Sequence, residues 1–301
     1  MPKNFLRRVH IPSTDEKLLY STLLKLDFLK KYNNRKNVNV LESIVSYKQF
    51  SRFNWTSLCL KILSFYKQVP IPSNDQLLAL EIFGIATRLL DDLIDKDNEK
   101  LFPVPSNILL LLYTDLLAYS INHLNKENSN SLAYLQDAIN GEFYDSTLTL
   151  EDKLTETIYL KYIINKSSGV FLFYLTQLDV PKEDLDFWIN IFQKIGIVSQ
   201  IKNDLQDVMK PKSIDAVCLK PNFALIKLVQ ENPDSIIALK NYSQNNDTDK
   251  LKDLLESTYI IDYCMLTIEI YKNKIKMELL QKFPNSSNQI NNLMSYINIG
   301  D

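Results

Sequence analysis

Only five glycines are spread through 301 residues, and long stretches repeat Leu, Ile, Tyr and Phe at three- and four-residue intervals. Glycine supplies the tight turns that hairpins need, so its scarcity starves a β-rich architecture; an apolar period near 3.6 is the mark of helices with one buried face. The chain therefore reads as all-α, with almost no room for strands. Ser13-Thr14-Asp15-Glu16 and Ser73-Asn74-Asp75-Gln76 each follow an Ile-Pro and have the form of a capping box, in which a hydroxyl and a side chain three residues on satisfy each other's backbone N–H. Pro103, Pro105, Pro181, Pro221, Pro233 and Pro284 mark breaks between apolar stretches. These signals predict about ten helices joined by short loops.

With 46% hydrophobic residues the chain can bury one large core, and no linker interrupts it, so residues 1–301 are read as one domain. A net charge of -2 and a pI near 5.8 provide no basic field for nucleic acid or anionic lipid. Cys59, Cys218 and Cys264 are odd in number and lack metal-ligand spacing, which suits a reducing cytosol and buried packing roles. Met1 to Arg8 lack the apolar core of a signal peptide, and the apolar run Ile108 to Tyr113 is cut short by Asp115, so no transmembrane segment is expected and the location is expected to be cytoplasmic.

Two acidic pentads stand far apart, Asp91-Asp92-Leu93-Ile94-Asp95 and Asn203-Asp204-Leu205-Gln206-Asp207, each closing a long apolar stretch of helical pattern. Positions i, i+1 and i+4 share a helix face, so each pentad would aim its carboxylates one way, where they repel one another. Pro211 follows the second closely and the charged run Lys96 to Lys100 follows the first, which places both near helix C-termini. The negative end of the helix dipole makes such clusters costlier still unless a cation neutralises them. Hard, oxygen-only ligands suit Mg²⁺, which commonly takes one or two carboxylates together with substrate phosphates. The bland alternative for the first pentad is a solvated acidic helix end offset by Arg88, four residues before Asp92.

Four of the five glycines flank candidate site residues: Gly84, Gly141 of Gly141-Glu142-Phe143-Tyr144-Asp145, Gly169 after Lys166-Ser167-Ser168, and Gly196 of Gly196-Ile197-Val198-Ser199-Gln200. Inside a helix each costs up to about 1 kcal/mol against alanine, so the placement points to close packing or ligand access. The run Gly196-x-x-Ser199-Gln200-x-x-Asn203-Asp204-x-x-Asp207 resembles the second aspartate-rich region of the trans-isoprenyl diphosphate synthases, and Asp91-Asp92-x-x-Asp95 resembles their first. Gly141-x-x-x-Asp145 and Lys166-Ser167 resemble two further segments in the same order, so the likeness spans roughly residues 74 to 225.

That resemblance implies an isoprenoid-synthase helical bundle around a central apolar cavity, an allylic isoprenyl diphosphate as substrate, three Mg²⁺ ions between the acidic clusters, and a homodimer. By residue-by-residue match, Asp91, Asp95 and Asp204 would be the main metal ligands, supported by Asp92 and Asp207. Lys166 and Lys220 would contact diphosphate oxygens, and Gln200 would face the site from the helix that carries Asp204. Phe83, Ala86 and Thr87, one to two turns before the first pentad, would floor the cavity and admit a geranyl or farnesyl chain.

The departures from the family pattern bear on the acceptor. Chain-elongating members carry an arginine pair soon after the first pentad and a Gly-Lys-x-x-Arg-type segment upstream, whereas here Lys96-Asp97-Asn98-Glu99-Lys100 follows and no arginine occurs beyond Arg88. Lys100 offers a point charge in that place, but lysine cannot reproduce the bidentate fork of arginine on phosphate. A retained donor site with an altered acceptor site is similar to the ComQ-type prenyltransferases, which modify a tryptophan of a bacterial pheromone peptide. The leading expectation is thus Mg²⁺-dependent transfer to an acceptor other than isopentenyl diphosphate, such as a peptide tryptophan. A short-chain prenyl diphosphate synthase is the alternative. A terpene cyclase ranks below, because Asp207 and Pro211 stand where cyclases need a hydroxyl and a carboxylate, and intact acidic clusters argue against a catalytically silent partner subunit.

His10 and His123 have no neighbours at metal-ligand spacing, which leaves no hydrolase triad placed by sequence. Trp55, Trp188, Tyr159, Tyr162 and Tyr174 sit on helical patterns where core packing is the default reading.

Overall fold

The computed structural model describes residues 25–33, 55–95, 104–124, 130–209, 214–245 and 247–297. Among them are twelve α-helices of five residues or more and no strand. They are α1 (Trp55–Leu63), α2 (Asn74–Asp95), α3 (Ser106–His123), α4 (Asn130–Thr147), α5 (Asn165–Thr176) and α6 (Leu185–Val208). There follow α7 (Ile214–Cys218), α8 (Phe223–Glu231), α9 (Ser235–Gln244), α10 (Thr248–Ser257), α11 (Ile260–Lys282) and α12 (Ser287–Ile297). No described helix is long and apolar enough to cross a membrane. The chain divides into two compact units, one formed by Met1–Ser57 with Ser73–Leu124 and the other by Leu58–Pro72 with Asn125–Asp301.

In the first unit α2 begins where its capping box predicts. The Ser73 N–H donates to Gln76 Oε1 at 2.9 Å and the Gln76 N–H to Ser73 Oγ at 3.3 Å. Ile82, Ile85, Ala86 and Leu89 of α2 interleave with Ile108, Leu109, Leu112 and Leu116 of α3, the three- and four-residue spacing of each helix turning one stripe inward. Leu29 and Tyr32 close this core, and the Tyr32 hydroxyl donates to Asp115 Oδ2 at 2.6 Å. The first pentad occupies the last turn of α2, which holds no basic residue. The Ser13 capping box, His10 and Lys100 lie outside the described residues, as does the Asp95 side chain.

In the second unit α4, α5 and α6 pack in sequence, α6 lies against α11, and α8 covers α6 and α11. Trp188 and Phe192 of α6 are fully buried, as are Phe171 and Tyr174 of α5 and Phe223 of α8; each such side chain stabilises the fold by about 1.5–3 kcal/mol. Trp188 Nε1 donates to Tyr66 Oη at 2.7 Å, Tyr66 Oη to Asp184 Oδ2 at 2.8 Å, and Lys282 pairs with Asp184 at 2.5 Å, a polar chain that ties the start of α6 to the end of α11. Two packing expectations are corrected here. Cys218, at the end of α7, is exposed, and Tyr162 turns outward; Cys59, Cys264, Trp188, Tyr159 and Tyr174 are buried as their spacing suggests. His123 binds the Tyr119 carbonyl at 2.8 Å and stacks on the Tyr119 ring, a packing role.

Candidate active site

Gln200, Asp204 and Asp207 recur at four and three residues along α6 and so share a face of that helix. Asp204 is buried and heavily bonded. Oδ2 accepts from the Tyr159 hydroxyl at 2.6 Å and from the Phe223 N–H at 2.6 Å, and Oδ1 accepts from Gln200 Nε2 at 2.9 Å. Gln200 is itself held by the Ser167 hydroxyl on its Oε1.

Each donor has a local cause. Phe223 opens α8, whose N-cap Asn222 follows Pro221 and accepts from the Ala224 N–H at 3.0 Å, so an N-terminal end with its partial positive charge is turned onto Asp204. The Asn222 amide also donates to the Asp204 carbonyl at 2.7 Å and to Asp215 Oδ2 at 3.0 Å, which locks α6, α7 and α8 together. Tyr159 starts a π-helical turn, Tyr159–Ile163, a wide coil that is frequent at functional sites.

Lys166 stands in the first turn of α5. Its Nζ pairs with Asp145 Oδ2 at 2.6 Å and lies 3.7 Å from Glu142 Oε2, both on α4. Three glycines make this closeness possible. A Cβ on Gly141 would sit 2.2 Å from the Lys166 nitrogen, one on Gly169 2.7 Å from the Ala138 nitrogen, and one on Gly196 2.9 Å from the Ser168 Cα. Gly141, Gly169 and Gly196 are therefore packing glycines. They draw α4, α5 and α6 together so that Lys166, Ser167 and Gln200 reach their partners.

The electrostatics are those of crowded carboxylates. Burial, reinforced by the charges of Asp145 and Asp215, raises the Asp204 pKa to about 7 against the lowering effect of the Tyr159 and Phe223 donors. The Tyr159 hydroxyl is pushed well above its ordinary value, by burial first and the Asp204 charge second. Burial also raises Asp215; Asn222 opposes it, Asp207 adds to it and Lys220 lowers it. Asp145, Asp204, Asp207 and Asp215 thus share one field with Lys166 and Lys220.

No family model matches the chain. It is 24% identical over 241 residues to a geranylgeranyl pyrophosphate synthase of Penicillium canescens, covering 71% of this chain and 68% of that protein. Among solved structures, a heptaprenyl diphosphate synthase from Staphylococcus aureus superposes with a TM-score of 0.72 at 18% identity, covering 95% of this chain and 97% of that one. A geranylgeranyl pyrophosphate synthase from Lactobacillus brevis gives 0.73 at 15% identity over 95% of this chain and 94% of its own. This is the trans-isoprenyl diphosphate synthase fold. A polyprenyl synthase from Caulobacter crescentus with the same fold, at a TM-score of 0.69, 13% identity and coverage of 96% and 98%, was crystallised with calcium and an isoprenyl diphosphate.

On this isoprenyl-synthase fold the oxygen-only donors fit a hard divalent ion, and the upward pressure on Asp204 is what a nearby cation would relieve. Among the described residues no three carboxylate, imidazole or thiol groups converge as a ready-made metal site. Ions held here would therefore need substrate phosphate oxygens to complete their shells. Asp91 is half-buried and Asp92 buried at the end of α2 in the first unit, while Asp204 and Asp207 belong to the second. Asp204 already accepts three hydrogen bonds, which leaves about one of a carboxylate's four acceptor positions open. Ala86 is spent in the core against α3, Phe83 is fully buried, and the half-buried Thr87 hydroxyl donates to the Gly84 carbonyl at 3.1 Å.

Sequence reasoning missed Asn222 and Asp215 as members of this network and took core packing as the default reading of Tyr159. An N-cap signal for Asn222 was present, an Asn between a proline and an apolar run.

Proposed function

We propose that the chain is a divalent-metal-dependent prenyltransferase that takes its isoprenyl group from an allylic diphosphate. The observation that carries this reading is the acidic field of Asp145, Asp204, Asp207 and Asp215 interleaved with Lys166 and Lys220, found on an isoprenyl-synthase fold. In it, Asp91, Asp92 and Asp95 at the end of α2 are one set of candidate ligands, and Asp207 with the open position of Asp204 on α6 is another, each for hard divalent ions, Mg²⁺ by preference. When bound, such ions supply the positive charge that stabilises a departing diphosphate. Lys166 and Lys220 orient diphosphate oxygens by point charge, and Gln200, fixed by Ser167, keeps Asp204 turned inward. Of Phe83, Ala86 and Thr87, the half-buried Thr87 keeps surface with which to bound a prenyl chain, while Phe83 and Ala86 support it from the core. The chain would act as one domain over residues 1–301, in the cytoplasm, as a homodimer.

For the acceptor, the likeness to geranylgeranyl and heptaprenyl synthases supports isopentenyl diphosphate, and the product would be a longer prenyl diphosphate. One observation favours a different acceptor such as a peptide tryptophan: no arginine follows Arg88, so the bidentate phosphate fork of a second diphosphate site has no residue to form it there. Purified protein incubated with Mg²⁺, geranyl or farnesyl diphosphate and labelled isopentenyl diphosphate separates the two. Label in a longer extractable chain selects the synthase; donor that binds only with Mg²⁺ present and incorporates no label selects another acceptor. Failure to bind the allylic diphosphate at all would overturn both.

A further inference from the structure

Three non-glycine residues among those described have a left-handed backbone: Lys153, Leu219 and Tyr259, at φ of 53°, 51° and 57°. That conformation presses Cβ toward the following carbonyl oxygen, and only glycine, with asparagine and aspartate behind it, adopts it routinely. Lys153 and Tyr259 are exposed, so their side chains extend into solvent, whereas Leu219 is 8% exposed. A bulky buried residue keeps such a backbone only where its surroundings over-determine it, and such positions gather at functional sites. Leu219 immediately precedes Lys220.

The contacts that hold Leu219 come from three sides. It follows the last residue of α7; its N–H donates to the Ala216 carbonyl at 3.4 Å, and the Lys220 N–H donates to the Asp215 carbonyl at 2.8 Å. This pair of bonds makes a Schellman turn, whose left-handed position is usually a glycine. The Leu219 carbonyl accepts from the Leu150 N–H at 2.9 Å, which pins the turn to the segment after α4. Beyond it the Asn222 N–H donates to the Lys220 carbonyl at 2.8 Å, and the buried Asn222 amide reaches the Asp204 carbonyl and Asp215 Oδ2. The Lys220 backbone is thus gripped through its N–H by Asp215 and through its carbonyl by Asn222, which bonds both aspartates. With a negative φ at residue 219 the chain would leave α7 in another direction, the Lys220 N–H would lose Asp215, and the Lys220 side chain would be carried away with it.

We infer that Leu219 is a positioning residue: its left-handed backbone, fixed by burial of its side chain and by the Leu150 N–H, sets the Lys220 ammonium in the acidic field around Asp204 and Asp215. The inference rests on the prenyl-transfer reading for what Lys220 then holds, an oxygen of the donor diphosphate.

The test is calorimetric titration of farnesyl thiolodiphosphate, an unreactive donor analogue, into the full-length protein with Mg²⁺ present, at a temperature where circular dichroism shows each variant folded. Lys220→Met is expected to weaken binding by about tenfold or more, the worth of one charge-assisted hydrogen bond. Leu219→Ala, Leu219→Gly and Leu219→Asn all discard the buried leucine surface, and the thermal midpoint should fall in each. Of the three, alanine resists the left-handed backbone. Leu219→Ala should therefore approach the affinity of Lys220→Met, whereas Leu219→Gly and Leu219→Asn should stay within about threefold of the parent. Adding Leu219→Ala to Lys220→Met should weaken binding no further, because the first change acts through the second residue. Equal losses in all three Leu219 variants would make the residue a packing element and overturn the inference. So would an affinity that either Leu219→Ala or Lys220→Met leaves unaltered, or a full further loss in the double variant. A parent that does not bind the analogue would instead overturn the prenyl-transfer reading, and this inference with it.

Discussion

The Tyr159 hydroxyl donates to Asp204 Oδ2 at 2.6 Å in surroundings that exclude water from both side chains. Among the described residues it is one of two donors on that oxygen, the other being the Phe223 N–H. Tyr159→Phe keeps the ring against Phe223 and removes the donor alone. The variant is expected to lose about 1–3 kcal/mol, the cost of leaving a buried polar group short of a partner. A urea titration checks this: the midpoint should fall with the slope unchanged, and an unaltered midpoint would mean that Asp204 recruits another donor.

Asp204 and Asp207 share a helix face but have different neighbours, so their asparagine variants should separate fold from metal. Asp207 is half-buried and its carboxylate loads the Asp215 titration, whereas Asp204 is committed to Tyr159, Phe223 and Gln200. Calorimetric titration of Mg²⁺ in the presence of methylene diphosphonate should show Asp207→Asn weakening ion uptake by about 10–100-fold, the range for losing a group that tunes a metal site. Asp204→Asn should change the denaturation midpoint more than the ion affinity. The reverse ranking would restore Asp204 as the principal ligand of this cluster.

Much of this architecture is legible in the sequence where the cause is local. The Ser73–Gln76 capping box, the four-three stripes of α2 and α3, and the face shared by Gln200, Asp204 and Asp207 all follow from spacing. Spacing cannot say whether that face looks into protein or away from it. The answer depends on α8, whose N-terminus is swung onto Asp204 by Asn222, and on the π-helical turn that delivers Tyr159 from 45 residues upstream. The glycines show the same limit. Their positions announce close approach, but that Gly141 meets Lys166 and Gly169 meets Ala138 is a property of three helices at once.

Lys166 and Asp145 form a largely buried pair at 2.6 Å, so removing the cation alone strands a carboxylate. Lys166→Met is expected to destabilise the protein by about 3–5 kcal/mol. Adding Asp145→Asn should recover most of that loss, since the second change removes the stranded charge. Affinity for an allylic diphosphate should stay low in both variants if Lys166 also serves substrate. Recovery of binding in the double variant would make Lys166 a purely architectural residue.

Gly169→Ala sets two effects of opposite sign against each other. Alanine improves helix propensity by about 1 kcal/mol, but the new methyl would lie 2.7 Å from both the Ala138 nitrogen and the Tyr134 carbonyl oxygen. Those are backbone atoms that no rotamer change can move, so α4 must back away from α5. Overpacking of that kind costs about 1–3 kcal/mol or more, and steric conflict should win. Thermal unfolding is expected to begin at a lower temperature than in the parent; a higher midpoint would show that the two helices can separate freely.

The three cysteines should differ sharply in reactivity. Cys218 is exposed, whereas Cys264 is fully buried and its pKa is pushed up to about 12, by burial first and then by the charges of Asp204 and Glu156, with Lys227 opposing. A folded-state pKa above the unfolded value means that the native protein holds this proton more tightly. The associated stability is complete below the ordinary thiol value near 9 and is lost as pH rises toward 12. At pH 8 the thiolate fraction of Cys264 should then be about a thousandfold below that of an ordinary thiol, before restricted access slows it further. A chromogenic disulfide reagent added to native protein at pH 8 should consume one thiol quickly, and mass spectrometry should place the label on Cys218. Cys59 and Cys264 should react only after denaturant is added; rapid labelling of Cys264 in native protein would show that the buried face of α11 opens to solvent.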